Sequence, residues 1–247
     1  MKTALVTGAA RRLGRDIALK LAAEGWDIAV HHLHSRDEAE NLCVQLRAMG
    51  RRCALVRADL ADEAETQGLV AQAEARLGPV SVLVNCASVF EDDRVEDATR
   101  ESWDRHLNTN LRAPFVLSQN LAARLAPDAS GCIVNIIDQS VLRLTPQFMS
   151  YTVSKTGLWT LTQTMAQALA PRIRVNAVAP GPSLKASHQS QANFDRQVQS
   201  TLLKRPSGPA EIAGAVAYLV SAQAVTGQMI AVDSGQHLSW SAADFVE

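Results

Sequence analysis

Thr7-Gly8-Ala9-Ala10-Arg11-Arg12-Leu13-Gly14 follows the apolar run Thr3–Thr7 and leads into a helical pattern. A glycine turn between a first strand and a first helix is an arrangement that cradles a pyrophosphate. Gly8 permits the tight turn and Gly14 permits close helix packing. The start of the helix then presents free N–H groups and the positive end of its dipole. Arg12 stands where a middle glycine is common, which makes Arg11 and Arg12 either phosphate ligands or a solvent-exposed basic turn.

Outward from this loop, short apolar runs alternate with helical patterns. The expected strands are Thr3–Thr7, Asp27–His31, Cys53–Ala58, Val80–Asn85, Cys132–Ile137, Arg174–Val178 and Met229–Val232. Ala39, Leu42, Cys43, Leu46 and Met49 recur at helical spacing before Gly50, and Gly25 closes the first helix in the same way. Repeated β-α units predict an α/β fold, a single-domain Rossmann-type doubly wound parallel sheet of about seven strands. Ligands in such sheets bind beyond the carboxyl ends of the strands. The chain has 247 residues and a formal net charge of -1, which gives no reason to expect nucleic acid or an anionic membrane as partner. No linker, repeat or apolar stretch of spanning length interrupts it, so residues 1–247 read as one domain. Met1–Val6 leads straight into a strand, and Cys43, Cys53, Cys86 and Cys132 lack metal-ligand spacing. A cytoplasmic protein with reduced thiols is expected.

The end of the second strand bears on cofactor choice. An acidic residue there would bind an adenosine ribose and favour NAD, but the segment reads His31-His32-Leu33-His34-Ser35-Arg36. His34, Ser35 and Arg36 supply donors for a 2′-phosphate, with Arg12 nearby, so NADP(H) is favoured. No metal site is expected, since strand alternation sends His31 and His32 to opposite faces. Asp59, after the third strand, is placed either to touch an adenine amine or to cap a helix.

Tyr151 and Lys155 stand four residues apart on a helical stretch, with Asp138 thirteen residues upstream of the tyrosine. The spacing puts phenol and ammonium on one helix face. A fixed cation there is expected to lower a tyrosine pKa from its usual value of about 10, toward general acid–base work. A carboxyl beside the hydroxyl could hold or relay the proton.

Taken in order, Thr7-Gly8…Gly14, Asp59, Asn85-Cys86-Ala87, Asn110, Tyr151-x-x-x-Lys155, Pro180-Gly181 and Val232-Asp233 resemble the short-chain dehydrogenase/reductase family along essentially the whole chain. The resemblance implies Tyr151 as proton donor or acceptor, Lys155 as a ribose-holding residue that tunes it, and Asn110 as support for a water-linked proton path. Asn110 also reads as a helix-bending side chain that binds backbone. The resemblance further implies cofactor contacts from Gly8, Arg11, Arg12, Leu13, Gly14, Leu60, Asn85, Ala87, Ser88, Pro180, Gly181 and Ser183. Two departures stand out. Asp138 occupies a place where most members carry serine, leaving Ser140 as an alternative, and Cys86 and Ser88 alter the usual Asn-Asn-Ala-Gly. A packing role is expected for Cys86.

Those departures resemble the pteridine reductase and dihydromonapterin reductase subgroup, through Ala9-Ala10-x-Arg12-Leu13-Gly14, Ala87-Ser88-x-Phe90 and Asp138…Tyr151-x-x-x-Lys155. The likeness implies that Arg12 reaches cofactor phosphate and substrate, that Ser88 bonds near the cofactor, and that Phe90 stacks a pterin against the nicotinamide. Asp138 and Tyr151 would then protonate a ring nitrogen. A flat heteroaromatic ring gains about 1 kcal/mol from an aromatic face beyond area burial, although Phe90 also reads as a loop aromatic covering the core edge. The expected activity is NADPH-dependent reduction of a pterin-like small molecule. An NADP-dependent alcohol dehydrogenase or ketone reductase is the alternative, and a non-catalytic NADP sensor a remote one. Residues 183–204 are expected to form a substrate lid, and a homotetramer is implied, with apolar helices around Asn110–Leu125 and Tyr151–Ala170 as interface.

Overall fold

Seven short runs of Val, Ile, Leu and Ala pair as parallel strands: β1 Thr3–Val6, β2 Asp27–His32, β3 Cys53–Arg57, β4 Val82–Asn85, β5 Gly131–Ile136, β6 Ile173–Pro180 and β7 Met229–Val232. The computed structural model describes residues 2–186 and 189–239. In space the order is β3-β2-β1-β4-β5-β6-β7, so the chain builds outward from β1 and then crosses to β4 on its other side. Every pairing is parallel. The central strands β1, β4 and β5 are buried along their whole length, which explains why they read as continuous apolar runs rather than as alternating ones.

The helices are α1 Arg12–Ala23, α2 Arg36–Ala48, α3 Glu63–Leu77, α4 Arg100–Leu107, α5 Ala113–Arg124, α6 Met149–Leu169, α7 Gln191–Gln199 and α8 Pro209–Ser221. They form two layers. On one face Ile17 and Leu21 of α1, Leu42 and Leu46 of α2, and Ile212 and Val216 of α8 pack against Val6, Val30 and Val84. On the other, Leu69 of α3, Leu117 and Leu121 of α5, and Met165 of α6 pack against Leu5, Leu83 and Ile133. Burying one such leucine or isoleucine contributes about 1.5–3 kcal/mol.

The strands lie within two residues of their expected bounds, β6 continuing two residues further to Pro180. One expectation is corrected. Cys43 of α2 and Cys53 of β3 form a disulfide with Cα atoms 5.5 Å apart, where reduced thiols were expected. Nothing in their spacing announces the pair, because the α2–β3 crossover brings them together only in the fold. Among the described residues, no helix is long and apolar enough to cross a membrane.

Candidate active site

The carboxyl ends of the strands open into a cleft of about 1130 Å³, at the switch in strand order between β1 and β4 where ligands of such sheets sit. One end is built by the loop after β1. Gly8 takes φ +63° and Arg12 takes φ +53°, conformations that bend the chain back into α1. A Cβ on Gly14 would lie inside van der Waals contact of the Gly8 carbonyl oxygen, 2.8 Å from its carbon and 3.0 Å from Ala9 Cα. Helix and loop therefore touch through bare backbone. Arg11, at the N-cap, is extended and makes no capping side-chain bond, which leaves the first turn of α1 open to an anion.

His31 completes this loop in a role its sequence context did not announce. Its Nδ1 accepts from the Gly8 N–H at 3.0 Å and its Nε2 lies 3.0 Å from the Ala58 carbonyl. With Nδ1 accepting, the ring proton sits on Nε2 and donates to Ala58. Burial pulls the His31 pKa down to about 4, so the ring is neutral and ties β1, β2 and β3 together at their ligand ends.

His34 and Ser35 line the cleft beside the glycine loop, with Asp59 and Leu60. Arg36 does not line it: its Nε donates to Glu40 one turn on, at 2.8 Å. Asp59 accepts from the Ala61 N–H at 2.9 Å, and the cap of α3 is Asp62 instead, bonded to Ala64 N and Glu65 N. Asp59 thus shapes the turn before the helix. Arg12 donates to the carbonyls of Leu184 and Lys185 at 3.0 and 3.1 Å, joining the glycine loop to the start of the expected lid. Residues 187–188 of that segment lie outside the described residues, and α7 follows within it. Pro180, Gly181 and Ser183 line the cleft. A Cβ on Gly181 would stand 2.6 Å from Asp233 Cα.

At the other end the Tyr151 hydroxyl donates to Asp138 Oδ2 at 3.0 Å, while Asp138 Oδ1 accepts from the Ser140 N–H at 2.8 Å. Ser140 therefore supports Asp138 through its backbone. Burial raises the Asp138 pKa, partly offset by the bonds from Ser140 and Tyr151 and the charge of Lys155. The expectation that Lys155 lowers the tyrosine pKa is corrected. Burial, then the charge and hydrogen bond of Asp138, push Tyr151 well above its ordinary value. The lysine Nζ donates to the Ile136 carbonyl at 2.9 Å and lies 5.6 Å from the centre of the tyrosine ring. Burial also brings Lys155 down to about 8. The tyrosine is thus a neutral phenol whose proton is shared toward a carboxylate.

Phe90 forms the aromatic wall beside this pair. Its ring stacks on Phe148 at 4.5 Å and meets the edge of Tyr151 at 4.7 Å, and it is 39% exposed. Phe148, overlooked in the sequence, begins α6 in a left-handed conformation (φ +56°). Ser88 bonds Asn110 Oδ1 at 3.2 Å. Asn110 sits in the wide turn Asn108–Arg112 that joins α4 to α5. Its side chain is spent on Val89 N at 2.8 Å, Val89 O at 2.9 Å and Ser154 Oγ at 3.1 Å. Of its two expected roles, this geometry carries the backbone-binding one.

Asn85 is also drawn inward. Its Nδ2 donates to Asn135 Oδ1 at 2.8 Å, and Asn135 Nδ2 donates to Thr162 Oγ1 at 2.9 Å. Arg36, Asn85 and Asn110 are the expected site residues that the cleft wall omits. Cys86 is half-buried, and desolvation pushes its thiol up to about 12, in keeping with packing.

A glycine loop opening onto the same cleft as a largely buried Asp–Tyr–Lys group points to a nucleotide-dependent oxidoreductase. Comparison with known proteins agrees. Residues 8–237 match the family described as enoyl-(acyl carrier protein) reductase. The chain is 35% identical over 242 residues to the 3-oxoacyl-[acyl-carrier-protein] reductase FabG of Staphylococcus epidermidis, covering 96% of this chain and 99% of that one. Among solved structures it resembles FolM alternative dihydrofolate reductase 1 from Brucella canis, complexed with NADP, with TM-score 0.93 and 45% identity over 100% of this chain and 98% of that one. The corresponding Brucella suis protein, also with NADP, gives TM-score 0.95 and 45% identity over 99% and 98%. The chain belongs to the short-chain dehydrogenase/reductase family.

Proposed function

We propose that this reductase uses NADPH to reduce a pteridine, a dihydropterin or folate-type C=N bond. The cradle suits the dinucleotide: the bare-backbone contact of Gly14 with the Gly8 turn, the open first turn of α1 and the donors His34 and Ser35 would hold its phosphates. Bound there, the cofactor supplies the hydride. Lys155, Ser88 and Gly181 line the region that would receive the nicotinamide end.

The observation that carries the substrate reading is the Tyr151–Asp138 hydrogen bond at 3.0 Å. A developing alkoxide would meet repulsion from an adjacent carboxylate, whereas a ring nitrogen gaining a proton is served by one. The phenol donates its proton to the nitrogen, and Asp138, its pKa raised by burial, takes a proton from solvent water in the cleft and passes it back to the phenolate. Phe90 lines the cleft beside Tyr151 and supplies an aromatic neighbour for a flat heteroaromatic ring. The likeness to proteins described as dihydrofolate reductases supports the same reading. The FabG relatives support a second, reduction of a ketone, in which Tyr151 protonates the alkoxide directly.

NADPH oxidation followed with dihydrobiopterin, dihydromonapterin, dihydrofolate and a panel of ketones tests the choice. Turnover of pterins is expected; turnover of ketones alone would overturn the pterin reading.

A further inference from the structure

Behind Tyr151 lies a buried polar cluster that takes no part in the chemistry described above. Asp93, Ser102, His106 and Ser150 come from the loop after β4, from α4 and from the second residue of α6. Asp93, His106 and Ser150 are each at most 3% exposed, so none of them meets substrate.

The hydrogen bonds of the cluster run in one direction. The Glu91 N–H donates to His106 Nε2 at 3.2 Å, which places the ring proton on Nδ1. That nitrogen lies 2.7 Å from Ser150 Oγ and 3.0 Å from the Ser102 carbonyl. The Ser150 hydroxyl, accepting a hydrogen bond from the histidine, donates its own to Asp93 Oδ2 at 2.5 Å. Ser102 donates to the same oxygen at 2.9 Å, and the Ser150 N–H donates to Asp93 Oδ1 at 2.9 Å. The end of the chain must be a pure acceptor, and a carboxylate is one. The Asp93 carbonyl also accepts from Met149 N at 2.9 Å, and Asp92 Oδ1 accepts from Phe148 N at 3.2 Å. The first three residues of the turn that carries Phe148 and Tyr151 thus hang from the loop that carries Phe90. Val89, on the other side of Phe90, is held by Asn110.

We propose that Asp93, acting through Ser150 and His106, is a positioning residue that fixes the Phe90–Phe148 substrate wall to the proton-donating Tyr151. Phe90 lies more than fifty positions from Phe148 and Tyr151 in the chain, and this carboxylate ties the two segments together. Asp93→Asn keeps the shape but turns a donor toward the Ser150 and Ser102 hydroxyls. The Glu91 N–H at the far end blocks the cluster from reversing its direction. Ser150→Ala is the milder cut, removing one hydroxyl while Asp93 keeps Ser102.

The test compares both variants with the parent enzyme in three measurements. These are kcat and KM for whichever substrate of the panel turns over, NADPH affinity by fluorescence, and ionisation of Tyr151 by ultraviolet titration. The chain has two tyrosines, so the titration is made in a Tyr218→Phe background, a change at a position 55% exposed on α8, where Tyr151 alone gives the signal. For a displacement of about 1 Å at the acid, kcat/KM is expected to fall about 10- to 100-fold, with lowered kcat and raised KM. NADPH affinity should stay within about twofold, since the cluster does not line the glycine loop, and Tyr151 should ionise at lower pH as its bond to Asp138 loosens. The titration needs no substrate, so it reads the positioning even where the pterin assignment fails. If Asp93→Asn does not fold, Ser150→Ala decides. A folded variant with unmoved tyrosine ionisation and kcat/KM within about twofold would overturn the proposal. So would a loss of NADPH affinity in step with activity, which would mark general disorder.

Discussion

Asp138→Asn separates the charge of this residue from its shape. The substituted amide would keep its oxygen on the Ser140 N–H, now held at 2.8 Å, and so preserve the short turn after β5. Its N–H₂ group would then face the Tyr151 oxygen, where a carboxylate oxygen now accepts at 3.0 Å. A hydrogen bond to a charged group contributes about 1.5–3 kcal/mol, and its loss corresponds to about 10- to 150-fold in a rate that depends on it. The kcat for pterin reduction should fall by that factor while NADPH affinity is unchanged. Two of the three causes that raise the Tyr151 pKa come from Asp138, so the tyrosine should also ionise at lower pH, read by alkaline titration in a Tyr218→Phe background. Relief of charge at a developing alkoxide would raise ketone turnover in the same variant. Unchanged pterin kcat together with an unmoved tyrosine titration would refute the view that Asp138 shares the Tyr151 proton.

Two further outcomes follow from the glycine loop. Gly14→Ala places a methyl 2.8 Å from Gly8 carbon, against backbone that cannot rotate away; about 1–3 kcal/mol of overpacking is expected, read as a lowered Tm and at least about tenfold weaker NADPH binding, and a wild-type Kd would contradict the cradle. His31 has a folded pKa of about 4 against 6.5 in the free side chain, so the unfolded chain binds its proton first as pH falls. The stabilisation, about 3 kcal/mol, is complete above about pH 6.5 and is lost between there and about pH 4; thermal unfolding across that window should show a slope that His31→Asn flattens.

The sheet was legible because strands buried on both faces must be apolar throughout, and Val6, Val84 and Val134 advertise this residue by residue. Gly8, Gly14, Tyr151 and Lys155 were legible for a related reason: backbone approach and helical spacing are local properties. What escaped depends on partners distant in sequence. Arg36 offered a plausible phosphate donor, yet Glu40 at the next turn of α2 engages it. The effect of Lys155 on Tyr151 was misjudged because the residue four positions away lies over the ring, whereas Asp138 touches the hydroxyl. His31 looked like one of three histidines open to several readings until β1 and β3 closed around it. Phe148 and Asp93 carried no motif at all; their roles come from where α6 begins.

The amides buried between β4, β5 and α6 have a bearing on how reliably the chain reaches this arrangement. Asn85 and Asn135 are direct partners in the parallel register of β4 and β5, and Thr162 anchors the second to α6. Neighbouring positions on both strands are aliphatic, so van der Waals packing alone would accept a slipped alignment with little complaint. A slip by one residue would leave these amides facing hydrocarbon, at about 1–3 kcal/mol for each unsatisfied group. The ladder therefore works as proofreading during assembly. Asp138 follows Asn135 by three residues and Tyr151 precedes Thr162 on the same helix, so the alignment it enforces is the one that brings carboxyl and phenol into register.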